Sequence, residues 1–324
     1  MKTMKAVCIY SYGGPQALVY EDAPCPHPGD GEVLVRVHAA GINPVDWKIR
    51  EGQLKEMLHH TLPLVLGWDA SGVVEALGAG ASRLKVGDEV FSRPDISRDG
   101  AYAEFIVIRE SEVALKPRSI DHIHAAALPL AGLTAWQTLF TAGGLAAGQR
   151  VLIHGAAGGV GSLAVQLAKW KGALVIGTAS GSNHAFLREL GVDQAVDYQT
   201  VRFEDAVEPV DLVLDTMGGD VQERSWKVLK RGGILVSIVS PPSKDTAASR
   251  GVRQAFVFTE PNAGQLAEIS KLADAEKLKA IVETVLPLSD ATRGQQLSER
   301  GHTRARSCCG SSSRRRTGKP TAWP

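Results

Sequence analysis

The chain has 324 residues, 44% of them hydrophobic, and 36 basic residues nearly balance 35 acidic ones, for a formal net charge of +1. That length accommodates two domains, and the balanced charge gives no electrostatic reason to expect nucleic acid or a membrane surface as a partner. No apolar run can span a bilayer, no signal-peptide pattern follows Met1, and cysteines at 8, 25, 308 and 309 make no disulfide framework, so a reducing cytoplasm is the expected compartment.

The first 120 residues read as β-rich. Residues 5–10 alternate as a strand, Tyr12-Gly-Gly-Pro15 is a turn, and Pro24, Pro26, Pro28 and Gly29 interrupt the chain again. Glu32-Val-Leu-Val-Arg-Val-His-Ala39 alternates as a half-buried strand. Gly41-Ile-Asn-Pro-Val-Asp-Trp-Lys48 is a polar loop entering a short helix, where Pro44 resets the backbone and Asp46 is placed to cap. Further strands are expected over residues 73–77, 86–91 and 102–108, which together suggest a compact, barrel-like β unit. The pattern changes near residue 121, and residues 125–140 predict a helix bent around Pro129 and Gly132.

The centre of the chain carries its most specific stretch. Val151-Leu-Ile is a short apolar strand suited to burial on both faces, and residues 162–169 carry apolar side chains at helical spacing. Between them, Ala156-Ala157-Gly158-Gly159-Val160-Gly161 fits Ala-x-Gly-x-x-Gly. Small residues let a backbone approach a pyrophosphate, and the helix N-terminus offers N–H groups to its charge. Gly161 would let the helix pack close to the strand. A plain strand–helix turn is the alternative; a second strand at residues 173–178 supplies the context that dinucleotide binding requires.

An NAD site places Asp or Glu about 20 residues after the first glycine, to hold the ribose hydroxyls. This chain has Thr178-Ala-Ser180-Gly-Ser182-Asn183-His184 there. With no carboxylate to repel a 2′-phosphate and several donors at hand, NADP(H) is the expected cofactor. Ser180 is the first candidate donor, followed by Asn183 and His184; capping of the next helix is their alternative role. Strand–helix alternation continues through residues 183–190, 196–198, 210–215, 221–229 and 233–238, the pattern of a doubly wound parallel sheet. Ligands then sit at the strand carboxyl ends, which include Asp215 and Ser240. Residues 265–272 and 274–284 read as two more helices.

Taken jointly, Ala39-Ala-Gly-Ile-Asn-Pro-Val-Asp-Trp-Lys48, Gly67-Trp-Asp-Ala-Ser-Gly72, Val86-Gly-Asp-Glu-Val-Phe91, Ala126-Ala-Leu-Pro-Leu-Ala-Gly-Leu-Thr-Ala-Trp136 and the glycine turn carry a family resemblance. The sequence resembles the zinc-free quinone oxidoreductases of the medium-chain dehydrogenase/reductase superfamily, near their NADP-dependent alkenal and enone reductases, from residue 5 to about 304. The resemblance implies an α/β fold: a mostly β, GroES-like catalytic domain plus a Rossmann doubly wound parallel sheet. The domains expected are residues 1–124 (catalytic), 125–260 (NADP-binding) and 261–304 (return to the catalytic domain). A homodimer is also implied.

Zinc-using members place Cys in a Gly-Ile-Cys loop and His in Gly-His-Glu; here those positions hold Asn43 and Trp68, neither of which supplies a thiolate or imidazole. No cysteine lies between 25 and 308, so the structural-zinc lobe is absent too. Without a Lewis acid for an alkoxide, the chemistry points to electrophilic small-molecule acceptors that take a hydride readily: quinones or α,β-unsaturated carbonyls. The resemblance places Asn43 beside the nicotinamide, where its amide could polarise a carbonyl; a turn residue before Pro44 is the other reading. Lys48 could donate to an oxyanion or be solvated. Thr134 matches the family's threonine near the nicotinamide, and Tyr198 could stack near adenine or pack at an edge. Trp47 and Trp68 could wall the acceptor pocket or belong to the core. An NADP alcohol dehydrogenase and a nucleotide-binding relative without turnover remain as alternatives.

Residues 305–324 break the pattern: basic, serine-rich and non-periodic, they read as a disordered tail. Where the family has a closing strand Gly-Lys-Ile-Val-Leu-Arg-Val, this chain has Ala305-Arg-Ser-Cys-Cys-Gly-Ser. Synonymous codons exist for which one base inserted after Arg304 converts the second string into the first, so a frameshift is the expected origin.

Overall fold

A computed structural model describes residues 2–301 and 306–310. In the first part of the chain, β1 (Thr3–Ile9) pairs antiparallel with β2 (Leu18–Pro24). The long β3 (Glu32–Ile42) buries Val33, Val35 and Val37 and runs into α1 (Pro44–Arg50), where Pro44 suits the first helical turn. Then come β4 (Leu64–Val65), β5 (Ala70–Leu77), β6 (Glu89–Ser92), β7 (Phe105–Arg109) and β8 (Val113–Leu115). The helix expected at residues 125–140 is divided. Its first piece is α2 (His122–Ala126), capped by Asp121 accepting from His124 N; the second is α3 (Pro129–Trp136), which opens with Pro129 and widens into a π-helical turn at Gln137–Ala142.

The central part alternates as expected. It holds β9 (Arg150–Ile153), α4 (Gly159–Trp170), β10 (Leu174–Ala179), α5 (His184–Glu189), β11 (Gln194–Asp197), α6 (Phe203–Ala206), β12 (Val210–Asp215), α7 (Gly219–Ser225), β13 (Leu229–Ser237), α8 (Lys244–Arg250) and β14 (Arg253–Phe256). Its strands pair in parallel in the order β11-β10-β9-β12-β13-β14, the doubly wound arrangement with its switch point between β9 and β12. Alternate residues of each strand feed opposite faces: Val151, Ile153 and Val175 pack under α4, whereas Leu152, Ile176 and Val213 pack with Phe203 and Trp226.

The chain then returns through α9 (Ala263–Asp274), β15 (Val282–Pro287), α10 (Ala291–Glu299) and β16 (Arg306–Gly310). Together β15, β16, β3, β5, β6 and β8 line up in one seven-stranded sheet, with β7 also on β3. Two expectations fail here. A helix was expected over residues 274–284, but α9 ends at Asp274, Glu276 takes a left-handed φ of 56°, and residues 282–287 form a strand. The β-branched Val282, Thr284 and Val285 explain that preference. The disordered tail expected from residue 305 is also corrected: Arg306–Gly310 lies between β15 and β3 and satisfies the backbone groups of both. Ser307, Cys308 and Cys309 are small enough to be buried there, Cys309 in the barrel core and Cys308 beside Ala39 and Ala126. Residues 302–305 and 311–324, including the rest of the expected tail, lie outside the described residues. Among the described residues, no helix is long and apolar enough to cross a membrane.

Candidate active site

The glycine turn sits at the carboxyl end of β9, beside the switch point. Gly155 has φ +61°, a conformation side chains resist, and a Cβ there would meet Thr216 Oγ1 at 2.7 Å. A Cβ on Gly161 would press on the Gly155 carbonyl oxygen and the Ala156 backbone, so glycine is what lets α4 close on the strand. Gly158 is the N-cap of α4 and no side chain caps it. The first N–H groups of a twelve-residue helix, from Gly159, Val160 and Gly161, therefore lie at a backbone cradle that follows Ala157 and Gly158. This cradle fits the pyrophosphate of a dinucleotide.

Just before the turn, at the end of β9, lies His154. It is 1% exposed, with Nδ1 3.1 Å from Thr178 Oγ1 and Nε2 2.9 Å from Ser225 Oγ. Burial pushes its pKa down to about 4, against the opposing pull of Asp215, so it is neutral and structural. Asp215 is equally structural: it accepts from Met217 N, Gly218 N, Gln222 Nε2 and Ser237 Oγ.

At the end of β10, Asn183 Nδ2 donates to Ser180 Oγ at 3.0 Å, and Ser180 and Ser182 hydroxyls are 3.1 Å apart. The structure thus brings Ser180 and Asn183, the first two expected 2′-phosphate candidates, together at one rim. Sequence reasoning missed Asp197: a Cβ on Gly181 would sit 2.6 Å from its Oδ2, so a carboxylate from the next strand borders this rim. Tyr198, 57% exposed, follows it, with its N–H bonded to Ala179 O.

The second half of the site is built from side chains. Asn43 is the N-cap of α1 and 2% exposed; its backbone N–H donates to Asp46 Oδ2 at 2.7 Å, as the capping reading of Asp46 requires. That oxygen also accepts from Tyr102 OH at 2.7 Å. Asn43 Nδ2 donates to Asp69 Oδ2 at 2.8 Å, and Asp69 Oδ1 accepts from Leu130 N at 2.5 Å. Asp69, fully buried and unsuspected from the sequence, ties α1 of one domain to the start of α3. Further along α3, Thr134 Oγ1 donates to Leu130 O and lies 2.7 Å from Thr259 Oγ1, from the segment after β14. Asn43 and Thr134 are therefore joined through Asp69 and Leu130. Lys48 is half-buried on α1 with Nζ 5.7 Å from the Trp47 ring centre, outside this chain of bonds. Trp68 is core: it is completely buried and donates through Nε1 to Arg98 O.

At the position of the family's metal-binding cysteine, Asn43 thus holds an amide fixed by a carboxylate. Among the described residues, no group of three or more His, Cys, Asp or Glu side chains is arranged to hold a metal ion.

Comparison with known proteins agrees with this geometry. The family model described as alcohol dehydrogenase GroES-like domain matches residues 29–118, and that described as zinc-binding dehydrogenase matches residues 190–306. The chain is 37% identical over 300 residues to the 2-methylene-furan-3-one reductase of Solanum lycopersicum, covering 88% of this chain and 73% of that one. It is 32% identical over 318 residues to the mitochondrial NAD(P)H oxidoreductase RTN4IP1 of Danio rerio, covering 85% and 82%. The quinone oxidoreductase of Coxiella burnetii superposes with a TM-score of 0.89 at 36% identity, over 95% of this chain and 99% of that one. A GroES-like domain joined to a doubly wound sheet, with Asn43 tied through Asp69 to Leu130 on the helix leading into that sheet, thus makes this chain an oxidoreductase of the medium-chain dehydrogenase/reductase superfamily, built to use a nicotinamide cofactor.

Proposed function

We propose that the protein is an NADPH-dependent reductase of quinones or α,β-unsaturated carbonyls that works without zinc. The observation that carries this reading is the Asn43–Asp69 bond, which occupies with an amide the place where zinc-using relatives put a thiolate. The names of the furanone reductase and quinone oxidoreductase relatives support the acceptor class.

Residues 157–161 would hold the pyrophosphate, Thr134 would face the nicotinamide, and Tyr198 would border the adenine. Bound in this way, the reduced nicotinamide supplies a hydride. The chain's own part is to exclude water and orient the acceptor: Asp69 fixes the Asn43 amide, and burial strengthens each polar contact it makes. Lys48, in the last turn of α1, would donate to the oxyanion that hydride transfer creates. The serine and asparagine donors at Ser180 and Asn183 support NADPH over NADH, while the Asp197 carboxylate at the same rim opposes a 2′-phosphate.

The division into residues 1–124, 125–260 and 261–304 is supported by the six-stranded sheet, whose strands all fall within the middle span. A homodimer is supported by β14, an edge strand followed by Phe258, with Phe256 and Phe258 each 38% exposed. Burial pushes the Cys8 and Cys309 thiols up to about 11 and 12, which keeps them protonated and suits a reducing compartment such as the cytoplasm.

The test is steady-state oxidation of NADPH and of NADH, with a benzoquinone and an enal supplied separately. The reading expects acceptor-dependent turnover that is faster with NADPH. Equal rates with a primary alcohol and NADP⁺ in the reverse direction would favour the alcohol dehydrogenase alternative.

A further inference from the structure

The end of β6 carries a charge that the site described above does not use. Arg93 follows Ser92 directly and is 2% exposed. β5 and β6 pair antiparallel with Ala70 opposite Ser92, and the same register carried one residue further sets Arg93 opposite Asp69. Side chains alternate along a strand. Val90 enters the barrel core, whereas Phe91 packs with Leu128, Ala131 and Leu133 at the junction with the other domain. Arg93, two residues beyond Phe91, is therefore on the face turned toward α3, the wall that carries Leu130 and Thr134.

The acids around Arg93 are Asp69, Asp95, Glu112 and Glu260. Three of them are engaged elsewhere: Asp69 by Asn43 and Leu130, Asp95 and Glu112 by Arg109. Among the described residues the Arg93 guanidinium forms no ion pair and no hydrogen bond, and its Nε is a buried donor without a partner. Leaving a buried charged donor unpaired is costly, and folded proteins do it mainly where a ligand completes the site.

We propose that Arg93 is the residue that receives the acceptor's oxygen. Its N–H groups, in a fixed planar fork, would bind the carbonyl oxygen of an enone or quinone beside Asn43. This rests on the reductase reading and adds a specific role to it. When hydride reaches the β-carbon of an enone, the C=C pair moves to the Cα–C bond and the C=O pair moves onto oxygen. The resulting enolate oxygen is negative, and Arg93 neutralises it in a dry site. A solvent proton then goes to the α-carbon, and the oxygen pair returns to the carbonyl.

The test needs no turnover. 4-Nitrophenolate, an enolate-like oxygen with visible absorption, is titrated into the NADP⁺ complexes of the wild type, Arg93→Ala and Arg93→Lys. The expected result is at least about tenfold weaker phenolate binding in R93A, a several-fold loss in R93K, and NADP⁺ affinity within about twofold throughout. Guanidinium ion added at low millimolar concentration should restore phenolate binding to R93A, which a purely structural role would not allow. If R93A fails to fold, the R93K loss stands as the measurement. Equal phenolate binding in wild type and variants, no phenolate binding to the wild type, or a parallel loss of NADP⁺ affinity would each overturn the proposal. Arg93-dependent phenolate binding in a protein that reduces neither quinone nor enal would sink the reductase reading and leave the oxygen site standing.

Discussion

The backbone cradle after β9 and the hydrogen-bonded cluster around Asn43 are made differently. The cradle is backbone, supplied by consecutive residues from Gly155 to Gly161, and its requirement is that atoms be missing. The Asn43 cluster is side chains, brought together from residues 43, 69, 134 and 259 on four separate stretches, and its requirement is that polar partners be present. The first should break when atoms are added and the second when they are removed.

The largest effect should come from Gly161→Val. Its Cβ would press on the Gly155 carbonyl and force α4 away from the strand, costing about 3 kcal/mol or more of stability and abolishing cofactor binding. Thermal melting and a nucleotide titration would read both, and a variant that still bound NADPH normally would contradict the close-packing account. Next is Asp69→Ala, which leaves the Asn43 amide and the Leu130 N–H without their acceptor. We expect a loss of about 2–4 kcal/mol in stability and on the order of 100-fold in kcat, with NADPH affinity within a few-fold of normal. A matching loss of NADPH affinity would show that the two regions are not separable.

A pH titration sharpens the comparison from the end of β9. His154 has a folded pKa of about 4, below the ordinary value of 6.5. The unfolded chain therefore binds the proton more readily between those values, so this stabilisation is complete above about pH 6.5 and is lost as pH falls toward 4. It amounts to roughly 3 kcal/mol. His122, also pushed down to about 4 by burial and by His38, adds a change of the same sign. The melting temperature should fall across this window, and His154→Gln should flatten the fall; an unchanged slope would remove His154 from the account. The smallest effect belongs to Ser180→Ala, expected to reduce the NADPH-over-NADH preference only a few-fold, about 1 kcal/mol. An unchanged preference would move the 2′-phosphate site away from that rim.

The same contrast explains what could be read from the sequence. The parallel sheet and the cradle were legible because their determinants are local: an apolar run, glycines at fixed spacing, then helical periodicity. Asn43 stood out only against the family's metal-binding pattern. Asp69, Thr259 and Arg93 gave no local signal, because their roles depend on strand register and on a domain junction formed by distant segments. Residues 282–284 were misread because the start of a strand was hidden in what scanned as a helix, and Arg306–Gly310 because serine and cysteine lack the bulk that usually marks a strand. There the open edges of β15 and β3 favour pairing more strongly than composition suggests.

The most direct test of the account is acceptor-dependent NADPH oxidation by protein that has been stripped with a chelator and shown by elemental analysis to hold no zinc. The account predicts a rate with quinone or enal equal to that of untreated protein, and unchanged when zinc is added back. A rate that vanishes on stripping and returns with zinc would contradict it, and would mean that the amide at Asn43 does not mark a metal-independent site.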